Sequence, residues 1–141
     1  MTRPRYDNHS TEFGLWLREQ KPIDSRLGYV ATNIDFVWRN YKTYQWMLIE
    51  EKRFFAEMKY AQSQMFQLLH TAACSNPQYR GFYFIQFERT NPDDGAIRVN
   101  GHDFTKEQLI RLLQFDEEIL FTIENSKSAW TIKYRSQQQA A

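Results

Sequence analysis

Ile34-Asp35-Phe36-Val37-Trp38-Arg39-Asn40-Tyr41-Lys42-Thr43-Tyr44-Gln45-Trp46-Met47-Leu48-Ile49-Glu50-Glu51-Lys52 reads as two β-strands around a turn. The first strand is the end of a β-branched and aromatic run that begins at Tyr29 and reaches Trp38. Asn40-Tyr41-Lys42-Thr43 is polar and suits a turn. Tyr44 to Glu50 is again rich in strand-forming residues. The two runs are close enough to pair as a hairpin.

A loop centred between Lys42 and Thr43 fixes the register. Val37 then faces Leu48, Asp35 faces Glu50, and Asn33 faces Lys52. Side chains alternate along a strand, so Asn33, Asp35, Glu50 and Lys52 share one face. Phe36, Trp38, Met47 and Ile49 occupy the other. Opposed residues have Cβ atoms about 4.5–5.5 Å apart, and like charges there destabilise a sheet. A hard divalent cation between Asp35 and Glu50 removes that cost. Mg²⁺ uses carboxylate oxygens and commonly completes its shell with substrate phosphate and water. Lys52 is then placed to contact a phosphate or steer an attacking water.

The flanking segments give the organisation. Ser10 is the candidate N-cap of a helix over Thr11–Gln20 with Phe13, Trp16 and Leu17 on one side, and Lys21-Pro22 closes it. After the hairpin a helical pattern runs from about Lys52 to Ala73. Its stripe is Phe54, Phe55, Met58, Ala61, Met65, Leu68, Leu69 and Ala72. Gly81–Glu88 is a third strand, Asn91–Gly95 a turn, and Ala96–Val99 a short strand. Thr105-Lys106-Glu107-Gln108 has the form of a capping box and opens a helix through Leu113. Phe121–Ile123 and Trp130–Tyr134 suit small edge strands. Helices alternating with strands imply an α/β domain with a mixed sheet. One domain is expected over residues 10–134, with a loose N-terminus over 1–9 and a frayed tail over 135–141.

Asp35 followed by Glu50-Glu51-Lys52 on the next strand, with a helix after it, resembles the signature of the PD-(D/E)XK nuclease superfamily. The order of elements from Glu12 to Glu88 is similar to that family's core, although Ile34 stands where the name-giving proline would be. The resemblance implies a restriction-endonuclease-like α/β/α core and metal-dependent hydrolysis of DNA phosphodiesters. It implies Asp35, Glu50 and the backbone carbonyl of Glu51 as ligands of Mg²⁺, with Mn²⁺ as a substitute. Lys52 would position the water, and Glu12, on the first helix, would be a further catalytic carboxylate. The small size resembles homing endonucleases and junction resolvases of phages and mobile elements. Asn33, Arg39, Lys42, Arg53, Lys59 and Gln64 are candidates for contact with the DNA. Cutting both strands of a duplex with one site per chain implies a homodimer or homotetramer.

Composition agrees with a folded protein. The chain has 141 residues, 42% hydrophobic and 25% charged, which excludes disorder as the main state. Basic residues outnumber acidic ones up to Phe87, and the reverse holds from Glu88 to Glu124. The earlier part is therefore the expected nucleic-acid side. No apolar run approaches the roughly 18 residues of a membrane span, and the start lacks a signal-peptide core, so a cytoplasmic location is expected. The one cysteine, Cys74, excludes an internal disulfide. His9, His70 and His102 lack metal-ligand spacing. The competing reading of Glu50-Glu51-Lys52 is a charged strand end favouring the next helix. The competing function is a non-catalytic nucleic-acid-binding or protein-interaction module on the same fold.

Overall fold

The computed structural model describes residues 11–124. They divide into two compact units, the first reaching Asn33 and the second beginning at Ile34. The first unit holds helix α1, Glu12–Glu19. Its cap is Thr11, whose Oγ1 accepts the Gly14 N–H at 3.0 Å. Single 3-10 turns follow at Lys21–Ile23, around Pro22, and at Ser25–Leu27. The stretch from Tyr29 to Asn33 belongs to no strand, which shortens the expected first strand to its last residues.

The second unit is an α/β structure with a mixed five-stranded sheet in the order β1-β2-β3-β4-β5. Strands β1 (Phe36–Arg39) and β2 (Trp46–Lys52) are antiparallel. Their register is Phe36↔Ile49, Val37↔Leu48, Trp38↔Met47 and Arg39↔Trp46, as the loop arithmetic requires. Asn40 sets the turn. Its Oδ1 accepts the N–H groups of Lys42 and Thr43 at 2.8 and 3.2 Å, and its carbonyl accepts from Tyr44. Helix α2 (Tyr60–Ala73) crosses over to β3 (Tyr79–Phe87), which runs parallel to β2. Strands β4 (Ile97–Val99) and β5 (His102–Phe104) complete the sheet as an antiparallel hairpin. Asn100 and Gly101 at its tip both have positive φ, the conformation that an Asn-Gly turn supplies. Buried Asn100 also reaches back to β3, where its Oδ1 accepts the Phe84 N–H at 2.7 Å.

The two sheet faces differ. Met47, Ile49, Tyr83, Ile85, Phe87, Ile97 and Val99 pack against Leu109, Leu112, Ile119, Leu120 and Ile123 of two further helices and Phe115 of the link between them. Those helices are α3 (Lys106–Leu113) and α4 (Glu117–Glu124). The capping box of α3 is present, with Thr105 and Gln108 bonding reciprocally. The other face carries a smaller apolar cluster of Leu48, Phe82 and Phe84 under Phe66 of α2.

Three expectations are corrected. The second helix begins at Tyr60, not Lys52, because β2 stays in its ladder with β3 as far as Lys52 and a turn follows. In that turn Phe54 and Phe55 have φ of 56° and 52°, which no right-handed helix accommodates. The buried line on α2 passes through Phe66 and Gln67, while Leu68 and Leu69 are exposed. Phe121–Ile123 is helical, because Asp116 caps α4 by accepting the N–H groups of Glu118 and Ile119 and is itself held by Arg111. The suggested strand at Trp130–Tyr134, the termini and Ser10 lie outside the described residues. No helix among the described residues is long and apolar enough to cross a membrane.

Phe66 is fully buried, with its ring centroid 4.9 Å from that of Phe82. Phe66→Ala should therefore lower stability by about 3–5 kcal/mol. A urea denaturation midpoint matching the wild type would contradict the placement of α2.

Candidate metal centre

The hairpin ladder ends at Phe36↔Ile49. One step further, Asp35 and Glu50 meet through their side chains instead of the backbone ladder. The Asp35 N–H donates to Glu50 Oε1 at 3.3 Å, and the Glu51 N–H donates to Asp35 Oδ2 at 2.9 Å. Each carboxyl group therefore bonds to the opposite strand. The ladder does not extend to the expected Asn33 and Lys52 pair, because it begins at Phe36.

Glu50 follows Leu48 on the α2 face of β2 and is 3% exposed. Its second oxygen, Oε2, accepts from Gln62 Nε2 at 2.9 Å and lies 3.8 Å from Lys52 Nζ. Burial pushes the Glu50 carboxyl up to about 8, reinforced by the charge of Asp35 and a hydrogen bond between the two side chains. Lys52 and the Asp35 N–H pull the other way but do not offset burial. The direction favours the protonated form of Glu50 well above the usual carboxyl range, with its carboxyl bonded to Asp35.

The donor set fits a hard cation. Each carboxyl accepts a backbone N–H at or next to the other acidic residue, so the two carboxyl groups lie side by side. Among the described residues no group of three or more His, Cys, Asp or Glu forms. His70 lies elsewhere on α2, with Nδ1 2.7 Å from Tyr79 Oη, and burial lowers its pKa to about 4.

The other candidates belong to several elements. Glu12 is exposed in the first turn of α1, and Asn33 ends the first unit. Arg39 and Lys42 are at the hairpin-turn end of β2, and Lys52 is at the other end. The Arg39 guanidinium lies 5.2 Å from the Tyr44 ring centroid. Arg53 is exposed directly after Lys52. Lys59 is the exposed N-cap residue of α2, and Gln64 bonds to Tyr60 Oη on the outer side of that helix.

Three residues gain importance from the fold. Gln62 holds Glu50 from α2, although the sequence marks it only as one of several helix glutamines. Gln86 pairs with Lys52 across the parallel ladder, and Arg98 pairs with Gln86 across the next. Lys52, Gln86 and Arg98 therefore form one row on one face of three strands. The alternation within β3 contains this signal, but only the β2–β3 register places it beside Lys52.

The direction of the Glu50 shift fixes a pH dependence. A carboxyl that ionises near 4.5 when unfolded and about 8 when folded binds more protons in the native state between those values. Without divalent cation, stability should fall as pH rises across that window, by up to about 1.4 kcal/mol per pH unit. Glu50→Gln should flatten this slope. Urea titrations at several pH values, with chelator present, read both outcomes.

Comparison with protein-family models, curated proteins and solved structures found no match.

Proposed function

We propose that this chain is a divalent-metal-dependent DNA endonuclease with a restriction-endonuclease-like core. The observation that carries the reading is the meeting of Asp35 with buried Glu50, with the Lys52 ammonium 3.8 Å from the same carboxyl group. Support also comes from the order of the elements. An Asp precedes one strand, Glu-x-Lys ends its antiparallel neighbour, and a helix leads to a parallel strand.

Asp35, Glu50 and the Glu51 carbonyl would hold Mg²⁺, or Mn²⁺ in its place. The ion would neutralise phosphate charge and acidify a bound water. Gln62 keeps Glu50 in orientation through its amide. Lys52 is the one ammonium beside the pair with an ion-pair contact among the described residues, so it binds the scissile phosphate or orients the water. Attack of water on phosphorus breaks the bond to the 3′ oxygen and leaves a 3′-hydroxyl and a 5′-phosphate. One site per chain acts on one strand. A homodimer, or a homotetramer built from two, would present sites to both strands of double-stranded DNA.

Supercoiled plasmid with Mg²⁺ tests the reading. Wild type should nick it, chelator should stop it, and Mn²⁺ should restore it. Lys52→Ala, Asp35→Asn and Glu50→Gln should each lower the rate by about 100-fold or more. DNA binding without metal-dependent cleavage of any tested DNA would overturn the assignment in favour of a binding module.

A further inference from the structure

The turn that follows Lys52 is held more firmly than an exposed loop requires. The Phe54 N–H donates to the Arg89 carbonyl at 3.0 Å and the Phe55 N–H to the Phe87 carbonyl at 2.8 Å. The buried Gln86 amide donates to the carbonyls of Phe55 and Ala56, at 3.4 and 3.0 Å. The Arg98 guanidinium covers the Phe55 ring at 4.1 Å.

These contacts impose an unfavourable backbone. Phe54 and Phe55 are consecutive residues in the left-handed region, which bulky side chains rarely occupy. Strain of this kind persists only where the surroundings over-determine it, and it clusters at functional sites. Phe55 gains a partner in Arg98. The Phe54 side chain stays 68% exposed, although its backbone is fixed.

The position of this ring matters. Phe54 stands two residues beyond Lys52, past the carboxyl ends of the parallel pair β2 and β3. Ligands of open α/β sheets bind at that end of the strands. Arg53 is exposed next to Phe54 in the chain, and Arg89, whose carbonyl holds it, is exposed with its guanidinium 3.9 Å from the Asp94 carboxylate. An exposed aromatic face on a fixed backbone, two residues from Lys52, suits a nucleobase. Bases stack on aromatic rings whatever their identity, and the backbone follows the cations.

We propose that Phe54 is a stacking platform for an unpaired nucleobase adjoining the scissile phosphate, so that the preferred substrate is DNA with unpaired nucleotides next to a duplex. This rests on the nuclease reading for the identity of the neighbouring site. A base inside a continuous duplex is already stacked on its neighbours and has no free face for Phe54. A forked or branched DNA presents one without the cost of unstacking.

Two variants separate the ring from the fold. Phe54→Gly removes the ring and suits the left-handed backbone, so its melting temperature should not fall. Phe54→Trp keeps an aromatic face. Binding is measured by fluorescence anisotropy with Ca²⁺ in place of Mg²⁺, on a forked duplex and a fully paired duplex of equal length. Wild type should prefer the fork by about 5- to 100-fold, the range expected from one base on one ring. Phe54→Gly should lose that preference and keep its affinity for the paired duplex. Phe54→Trp should retain it, with indole fluorescence quenched on binding. Equal affinity of wild type for both DNAs, or an undiminished preference in Phe54→Gly, overturns the stacking role. Parallel Mg²⁺ cleavage assays separate the two readings. Fork preference without cleavage of either DNA sinks only the hydrolytic reading. Cleavage without fork preference sinks only this one, and absence of any DNA binding sinks both.

Discussion

Burying the Glu50 carboxyl against Asp35 is the costly step around which the second unit is arranged. A buried carboxylate without partners is strongly disfavoured, and such a group either finds partners or takes up a proton. Glu50 does both. It accepts hydrogen bonds from the Asp35 backbone and the Gln62 amide, and its pKa rises to about 8. Each partner constrains an element. Asp35 must sit one residue ahead of β1, and α2 must lie with Gln62 over the end of β2. An apolar side chain at position 50 would pack there without any of these requirements, and such replacements of buried charged groups are often stabilising. Stability alone therefore does not account for a carboxyl at this place.

The two faces of the sheet divide the work. The face under α3 and α4 is apolar from β2 to β4 and carries most of the buried side chains. The face under α2 is apolar only around Leu48, Phe66, Phe82 and Phe84. Toward the carboxyl ends of β2 and β3 it changes to Glu50, Lys52 and Gln86. The larger cluster secures the sheet, and the smaller one leaves a polar end. That is why a short four-residue β1 suffices at the edge, although its residues are all exposed.

The sequence reveals the hairpin better than the helices. Its register depends on strict alternation and on a turn that Asn40 closes by local hydrogen bonds, so the residues involved are neighbours in the chain. The start of α2 depends on something distant. Arg53 to Met58 carries apolar residues at helical spacing, but the ladder with β3 and the carbonyls of Phe87 and Arg89 hold this stretch in another conformation. The choice between Phe66 and the pair Leu68 and Leu69 as the inward residue likewise depends on which sheet face the helix covers. Phe121-Thr122-Ile123 looks like a strand by residue type alone, and the cap at Asp116 overrides that preference. Asn100-Gly101 is the reverse case, a local turn signal sufficient to place β4 and β5 as a hairpin, although strand-forming residue types mark only β4. At the site, Asp35, Glu50 and Lys52 belong to the hairpin and could be paired from the sequence. Gln62, Gln86 and Arg98 come from other elements and needed the tertiary register.

Charge accounting gives the site its logic under the nuclease reading. With Glu50 protonated, Asp35 and Lys52 cancel, and the buried carboxyl contributes no charge. With both carboxylates ionised, one negative charge is left over beside a poorly hydrated group. A divalent cation reverses that sign and leaves the site net positive, matched to the phosphate of a DNA strand. The cluster is therefore electrically tolerable in two conditions, proton-bound or cation-bound, and poorly tolerated between them. Under that reading, binding of a cation would release the Glu50 proton and would make occupancy of the site and readiness for an anionic substrate the same event. A charged strand end open to water would carry no such coupling, because solvent would screen both carboxylates whatever their protonation.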